Sequence, residues 1–320
     1  MTITPIWKTI EVDMTSGLSG GAVTFAAKIG SNTIYEGKAY ADPNGDCVVT
    51  LNGILKDYLG TPAMTLTGQT YADTKAVQTF TVTYGTSGST TIKVLNDWSY
   101  DPSRSYADNS PAILTDAAYS RWDYHAIRPF TIIGASSYSW VLKNTSGTTI
   151  SSGSRTITGN SETFFCQPTQ AGSLVITIGS RTYSYKIGNY CDAGAFIYRN
   201  KIGGFDTIPI ANFVNNEEYT RESYDIAGNN WNPQTHLRRD FRSDVRRTIT
   251  LRTPALSDAE AAVTANAVGS VQAWLYSADH NYEAVIVKAT AWKHKTFRNE
   301  GQKRVVYEFE VEFAQSMERR

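Results

Sequence analysis

The sequence predicts a mainly β chain: two β-sandwich domains of immunoglobulin-like type, then an α+β domain with one helix packed on a sheet. Three observations lead there. Its 19 Tyr and 7 Trp, set among abundant Thr, Ser and Val, are residues that fit a pleated, half-buried surface. Short runs of alternating apolar residues recur between Gly, Asn, Pro and Ser turn signals. The last third differs, because a capped, helix-period segment interrupts the strands.

The elements follow in order. In residues 1–100, strands are expected at 22–29 and 33–41 around Gly30-Ser31-Asn32, with a second turn at Pro43-Asn44-Gly45-Asp46. Asn52 can cap a short helix that Gly60 and Pro62 end, and strands at 77–84 and 90–95 close a sandwich with a helical plug. Residues 101–116, rich in Asp, Pro, Ser and Asn, read as a linker. Within 117–190, six short strands are expected at 129–133, 138–143, 149–157, 162–167, 174–178 and 182–187. The order Trp140, Cys166, Cys191 is not the antibody order, so only the architecture is supported.

Residues 191–320 form the third domain. A strand at 248–252 precedes Ser257-Asp258-Ala259-Glu260, a capping box, and Val268, Val271, Trp274 and Leu275 follow at helical spacing. Two strands return at 284–292 and 304–313, joined by a polar arm, His294 to Lys303. In the last strand Val305, Tyr307, Phe309, Val311 and Phe313 share one face, and Glu308, Glu310 and Glu312 the other.

A chain of 320 residues suits two or three domains, and 41% apolar content is ample for their cores. Basic and acidic residues number 30 each, so no global charge draws the chain to nucleic acid or anionic membrane. Cys47, Cys166 and Cys191 read as reduced core residues. The start, MTITPIWKTIEVDM, has no basic and apolar secretory pattern, and no run reaches the ~20 apolar residues of a membrane span. Synthesis in a cytoplasm without membrane insertion is expected.

The stretch YRNKIGGFDTIPI, Tyr198 to Ile210, holds adjacent glycines. A phosphate cradle needs a helix after its glycines, whereas Pro209 pushes Ile208 toward extended geometry. A tight turn is therefore expected, and Gly203, Gly204, Phe205 and Asp206 read as an interdomain corner with positive φ at one glycine. Metal and catalytic readings are weaker. Asp42 to Asp46 resembles half a calcium loop, but Gly53 stands where the distal Glu is needed. His125, His236, His280 and His294 lack zinc spacing, and Ser120, Asp123 and His125 lack a nucleophile elbow. Alternate carboxylates lie about 6 to 7 Å apart, so the Glu308/Glu310/Glu312 stripe could serve a glycosidase or form a solvated face that discourages edge pairing. Arg238, Arg239, Arg242, Arg246, Arg247 and Arg252, with Lys293, Lys295, Arg298, Lys303 and Arg304, could meet DNA phosphates or an acidic neighbouring subunit; the zero net charge favours the neighbour.

Two runs, IYEGKAYADPNGDCVVTLNGILKDYL and AGAFIYRNKIGGFDTIPI, resemble structural proteins carried by phages and prophages of Bacteroides-type bacteria. In that pattern Trp, Asp, a small hydroxyl residue and a large apolar one follow the glycine pair, and Phe205, Asp206, Thr207 and Ile208 match it with two conservative departures. The carboxy-terminal unit is similar in outline to ring-forming phage tail-tube and distal-tail domains. The resemblance implies a non-enzymatic virion component of tail, tail tip, baseplate or head–tail connector, assembled in the host cytoplasm. Its partners would be copies of itself in a ring, neighbouring tail proteins and, in a channel, DNA. No cofactor or metal is implied. Arg238, Arg239, Arg242, Arg246, Lys295, Arg298, Glu308, Glu310 and Glu312 would form subunit interfaces, with His294 to Lys303 as the arm. The rival readings are a carbohydrate-binding adhesion β-sandwich, suggested by its Trp and Tyr content, and a tail-borne glycosidase.

Overall fold

Among the described residues strands dominate, joined by tight turns and two short α-helices. The computed structural model describes residues 2–59, 70–72, 76–102, 104, 106–107, 110–115, 122–190, 192–225, 238–270, 272–277, 282–299, 302–313 and 317–319. Two compact units result: Met1–Asn189 with Arg199–Asp206, and Tyr190–Tyr198 with Thr207–Arg320.

In the first unit a six-stranded sheet runs in the order Asn32–Tyr40, Ala22–Ile29, Val77–Tyr84, Gly88–Leu95, Thr2–Pro5, Tyr106–Ala107. Its inward alternation, Val23, Phe25 and Ala27 against Phe80, Val82 and Val94, buries one face. Leu51, Leu55 and Leu59 of the expected helical plug, α-helical over Asn52–Leu55 and 3-10 over Lys56–Tyr58, close that core. Asn52 does more than start a helix. Its side chain accepts from the Ile10 N–H and donates to the Ile6 and Lys8 carbonyls, tying the plug to the chain's start.

Two four-stranded sheets follow. One holds Ala112–Ile113, Arg128–Ile133, Ser161–Cys166 and Thr70–Ala72; the other holds Thr149–Thr156, Ser137–Asn144, Gly172–Ile178 and Arg181–Ile187. Aromatic side chains join them: Trp140 stacks on Phe164 at 5.3 Å, and Tyr185 meets Phe130 at 4.7 Å. Long-range pairing knits this half into one unit. Thr70–Ala72 pairs with Ser161–Cys166, and residues 101–116 carry two short strands, one on Thr2–Ile3 and one on Ile132–Ile133. Cys47 and Cys166 are buried free thiols, and burial pushes the Cys166 thiol up to about 12. Cys191 and Ser120 lie outside the described residues.

In the second unit a sheet runs Phe205–Ile210, Gly194–Arg199, Ala273–Ser277, Tyr282–Asn299, Gln302–Phe313, Arg238–Arg252, Asn212–Asp225, with Met317–Arg319 added beside Arg238–Arg252. Most of the period-two face is buried, at Val305, Tyr307, Phe309 and Val311, while Phe313 is half-buried and Val306 of the Glu face is buried as well. The helix Asp258–Ala265 starts at the capping box, where Ser257 Oγ accepts from Glu260 N–H and Glu260 accepts from Ser257 N–H. The Tyr307 and Tyr198 hydroxyls donate to the helix carbonyls of Ala261 and Val263, so sheet aromatics fix the helix on the buried face. The helix is shorter than its apolar spacing suggested. It tightens to 3-10 at Asn266–Gly269, and Trp274 and Leu275 lie on the strand Ala273–Ser277. Gly269 and Ser270 interrupt the pattern, and the aromatic-rich run after them favours strand geometry.

Tyr185 offers a test of the aromatic core. Burial pushes its phenol up to about 12, although the Arg128 charge, 5.3 Å from its ring, pulls the other way. An unfolded tyrosine titrates near ~10, so the folded state keeps this proton longer. The resulting stability is complete below about pH 10 and is lost as pH rises towards 12. Tyr185→Phe is therefore expected to lose less Tm than wild type between pH 9 and roughly pH 11.5. Parallel melting curves for the two proteins would refute the shift.

Candidate functional site

The glycine pair closes a hairpin between Gly194–Arg199 and Phe205–Ile210. Asn200 N–H donates to Gly204 O at 2.9 Å, and Gly203 N–H to Asn200 O at 3.2 Å. The Asn200 side chain fixes the tip. Its Oδ1 accepts from Ile202 N–H and Gly204 N–H, while its Nδ2 donates to Leu114 O and to the Asp206 carboxylate. The other Asp206 oxygen accepts from Thr115 Oγ1. Ile202 completes a buried cluster with Ile3, Ala76, Val77, Leu95, Leu114 and Ile133.

Both glycines are required, for different reasons. Gly203 has φ +90°, and a Cβ there would sit 2.7 Å from Asn96 O. Gly204 is not left-handed, but its Cβ would sit 2.1 Å from Leu114 O. All of these contacts lie inside the first unit, where Phe205 and Asp206 are buried. The tip N–H groups are spent on Asn200, which leaves no convergent donors for a phosphate there.

The Glu stripe occupies a central strand, with Tyr282–Asn299 on one side and Arg238–Arg252 on the other, so guarding a sheet edge is not its role. Lys288 Nζ lies 3.0 Å from Glu310 and 3.9 Å from Glu312, and register sets Glu308 opposite Arg252 and Lys293. These half-exposed pairs are worth ~0–1 kcal/mol each. Beside Glu308 is a hollow of about 270 Å³, lined also by Asn212, Phe213, Val214, Thr250 and Arg252. Among the described residues it is lined by one carboxylate, where glycoside hydrolysis uses two.

Arg238, Arg239, Arg242, Arg246 and Arg247 lie on one strand, and Lys295 and Arg298 on another. Register sets Glu217 opposite Arg247, Glu218 opposite Arg246, and Glu222 opposite Arg242. The arm differs: Arg298 faces Lys303, and Phe297 faces Arg304. The arm at His294 to Lys303 is a two-stranded ribbon, with its turn outside the described residues.

The remaining candidates resolve locally. Asp42 Oδ1 accepts from the N–H groups of Asn44 and Asp46, forming the turn itself, with Gly45 at φ +89°. Buried Asp123 holds His125 Nδ1 at 2.9 Å, while Trp122 donates to Ala126 O. His236 and His280 lie outside the described residues.

No family model and no curated protein matches the chain. Among solved structures it is similar to domains 4–9 of the surface layer protein SbsC, at 9% identity and TM-score 0.20, covering 90% of this chain and 42% of that one. It is also similar to the BSP domain of a biofilm-associated protein, at 11% identity and TM-score 0.20, covering 72% of this chain and 56% of that one. The chain thus spans about half the length of each, and neither likeness bears on function.

Gly204→Val forces a side chain onto a main-chain carbonyl that cannot rotate away. A loss of about 3 kcal/mol is expected, or a Tm lower by roughly 6–12 °C. Inorganic phosphate should leave the wild-type Tm unchanged. Phosphate stabilisation that the substitution removes would reinstate the anion cradle.

Proposed function

We propose that this chain is a structural subunit of a bacteriophage tail, tail tip or head–tail connector that acts by assembly, with two immunoglobulin-like sandwiches preceding an α+β ring domain. The observation that carries this reading is a pair of β-ribbons running past the body of the second unit's sheet. Asn212–Asp225 pairs with Arg238–Arg252 along its length, yet the next strand engages only Thr248–Arg252, and Met317–Arg319 only Ser243–Val245. Lys293–Asn299 pairs with Gln302–Glu308, and past the bridge from Leu256 to Val305 these two strands, among the described residues, pair only with each other. At ~3.3 Å per residue, the first ribbon runs roughly 30 Å past Thr248 and the second roughly 10 Å past the bridge.

Isolated two-stranded ribbons are marginal in water, so ones this long point to a second surface that covers them. Charge favours one chemistry for it. The register of the first ribbon sets acid opposite base. The second carries Lys293, Lys295, Arg298, Lys303 and Arg304 against Glu300 and Glu308, and its register sets Arg298 opposite Lys303, a like-charge placement that an acidic neighbour would relieve. A register shift sharpens its direction. Between Lys288 and Lys293 the partner strand advances only from Glu310 to Glu308, and such bulges bend a strand.

Purified protein, alone or with neighbouring virion proteins, is expected to form closed rings by sedimentation and electron microscopy, weakening as salt rises. Combining Lys295→Glu, Arg298→Glu and Lys303→Glu should abolish assembly while leaving Tm within about 2 °C. A protein that stays monomeric in both settings, or a charge-reversed variant that assembles as wild type does, would refute the proposal. Glu310→Gln should leave sugar release from host capsule at background. Release that this substitution abolishes would establish the glycosidase instead.

A further inference from the structure

A second surface, in the first unit and independent of the ribbons, carries chemistry of its own. Strands Thr2–Pro5 and Gly88–Leu95 are parallel and end together at Pro5 and Leu95, and Ile6 N–H continues the pairing to Leu95 O. Trp7 and Lys8 leave that end on one strand, and Asn96 to Asp101 on the other. Trp98 is 43% exposed and Tyr100 66% exposed, and the Tyr100 ring lies 6.1 Å from that of Trp7.

These rings are held in place without being buried. Trp98 Nε1–H donates to Asn96 Oδ1 at 2.7 Å, and Trp98 N–H to Lys201 O at 2.6 Å. Ser99 N–H donates to Asp97 Oδ1, and Asp101 N–H to Ser99 Oγ. Tyr100 has φ +55°, the one non-glycine positive φ among the described residues. That conformation is unfavourable for a bulky residue, and an exposed ring contributes little burial to offset it.

We propose that Trp98, Tyr100 and Trp7 form a stacking platform for a neutral pyranoside. A pyranose ring offers an apolar C–H face to an aromatic ring and hydroxyls to the rim, where Lys8, Ser99 and Asp101 stand. A cationic ligand is disfavoured because the Lys8 ammonium already lies 5.3 Å from the Trp7 ring centroid. The Asp101 carboxylate is paired with Arg104 at 3.2 Å, so the rim offers polar groups without a dominant charge. Three rings are too small a patch for a stable protein interface, which buries ~1,000 Å² or more, but they match a sugar of one or two residues.

The test is titration of the intact chain with cellotetraose, maltotetraose and the tetramer of N-acetylglucosamine, followed by tryptophan emission. At least one probe should give a saturable change. Trp98→Ala and Tyr100→Ala should each weaken it roughly tenfold with Tm retained, whereas Tyr40→Ala, an exposed tyrosine at the far edge of the same sheet, should not. Trp98→Phe keeps the stacking face, loses the bond to Asn96, and should fall between. No saturable change with any of the three probes overturns the proposal, as does an equal loss in Tyr40→Ala. So does a Trp98→Ala variant that loses co-assembly with virion neighbours while the wild type binds no sugar, since the platform would then belong to a protein partner.

Discussion

The first unit depends on one amide. An asparagine side chain has two acceptor and two donor positions, and burying any of them unpaired costs free energy. Asn200 fills all four: two main-chain N–H groups of its own tip, the Leu114 carbonyl and the Asp206 carboxylate. Asp206 passes the constraint to Thr115. The tip is thereby fixed to chain some 85 residues away in sequence, between the strands at Ala112–Ile113 and Arg128–Ile133. Only glycines allow the approach, since the carbonyls of Asn96 and Leu114 occupy the space of both missing Cβ atoms.

What the sequence made legible is what local chemistry decides. The strands Ala22–Ile29 and Val77–Tyr84 fall where alternation placed them, and Ser257 and Glu260 cap the helix reciprocally. The positive φ at Gly203 was legible from the glycine pair, but the reason for Gly204 was not, because it depends on a carbonyl distant in sequence. Pairings of long separation were equally hidden. Thr70–Ala72 finds Ser161–Cys166 through no signal in either segment. Near residue 270 the i, i+3 apolar spacing reads as helix, but the break at Gly269 and Ser270 gives Trp274 and Leu275 to a strand.

Charge was the least legible property, since equal totals conceal an uneven layout. The Glu stripe suggested a free acidic face, but strand order sets it between two basic neighbours and gives Lys288 to two of its members. The Arg-rich run suggested an interface, yet the register faces it with Glu217, Glu218 and Glu222 of its own hairpin. Subtracting these matched sets leaves the 293–304 ribbon, whose register sets Arg298 opposite Lys303. An interaction surface is better sought in such a remainder than in the densest cluster.

The glycine pair and the aromatic surface are linked through Asn96. Its carbonyl packs where a Gly203 side chain would be, and its amide oxygen holds the Trp98 indole. At the same hairpin tip Lys201 O accepts from the Trp98 N–H, so the aromatic segment is held once by the tip and once by its own Asn96. Two such bonds contribute ~0.5–1.5 kcal/mol each, comparable with the ~1–3 kcal/mol that a left-handed non-glycine residue costs. The strain at Tyr100 can therefore be met by bonds to Trp98 without burying the Tyr100 ring. A fold that needed that ring for its core would have turned it inward. Here the hairpin stabilises a conformation in which the ring stays in solvent, and the structural need served by Gly203 also becomes a need of the exposed platform.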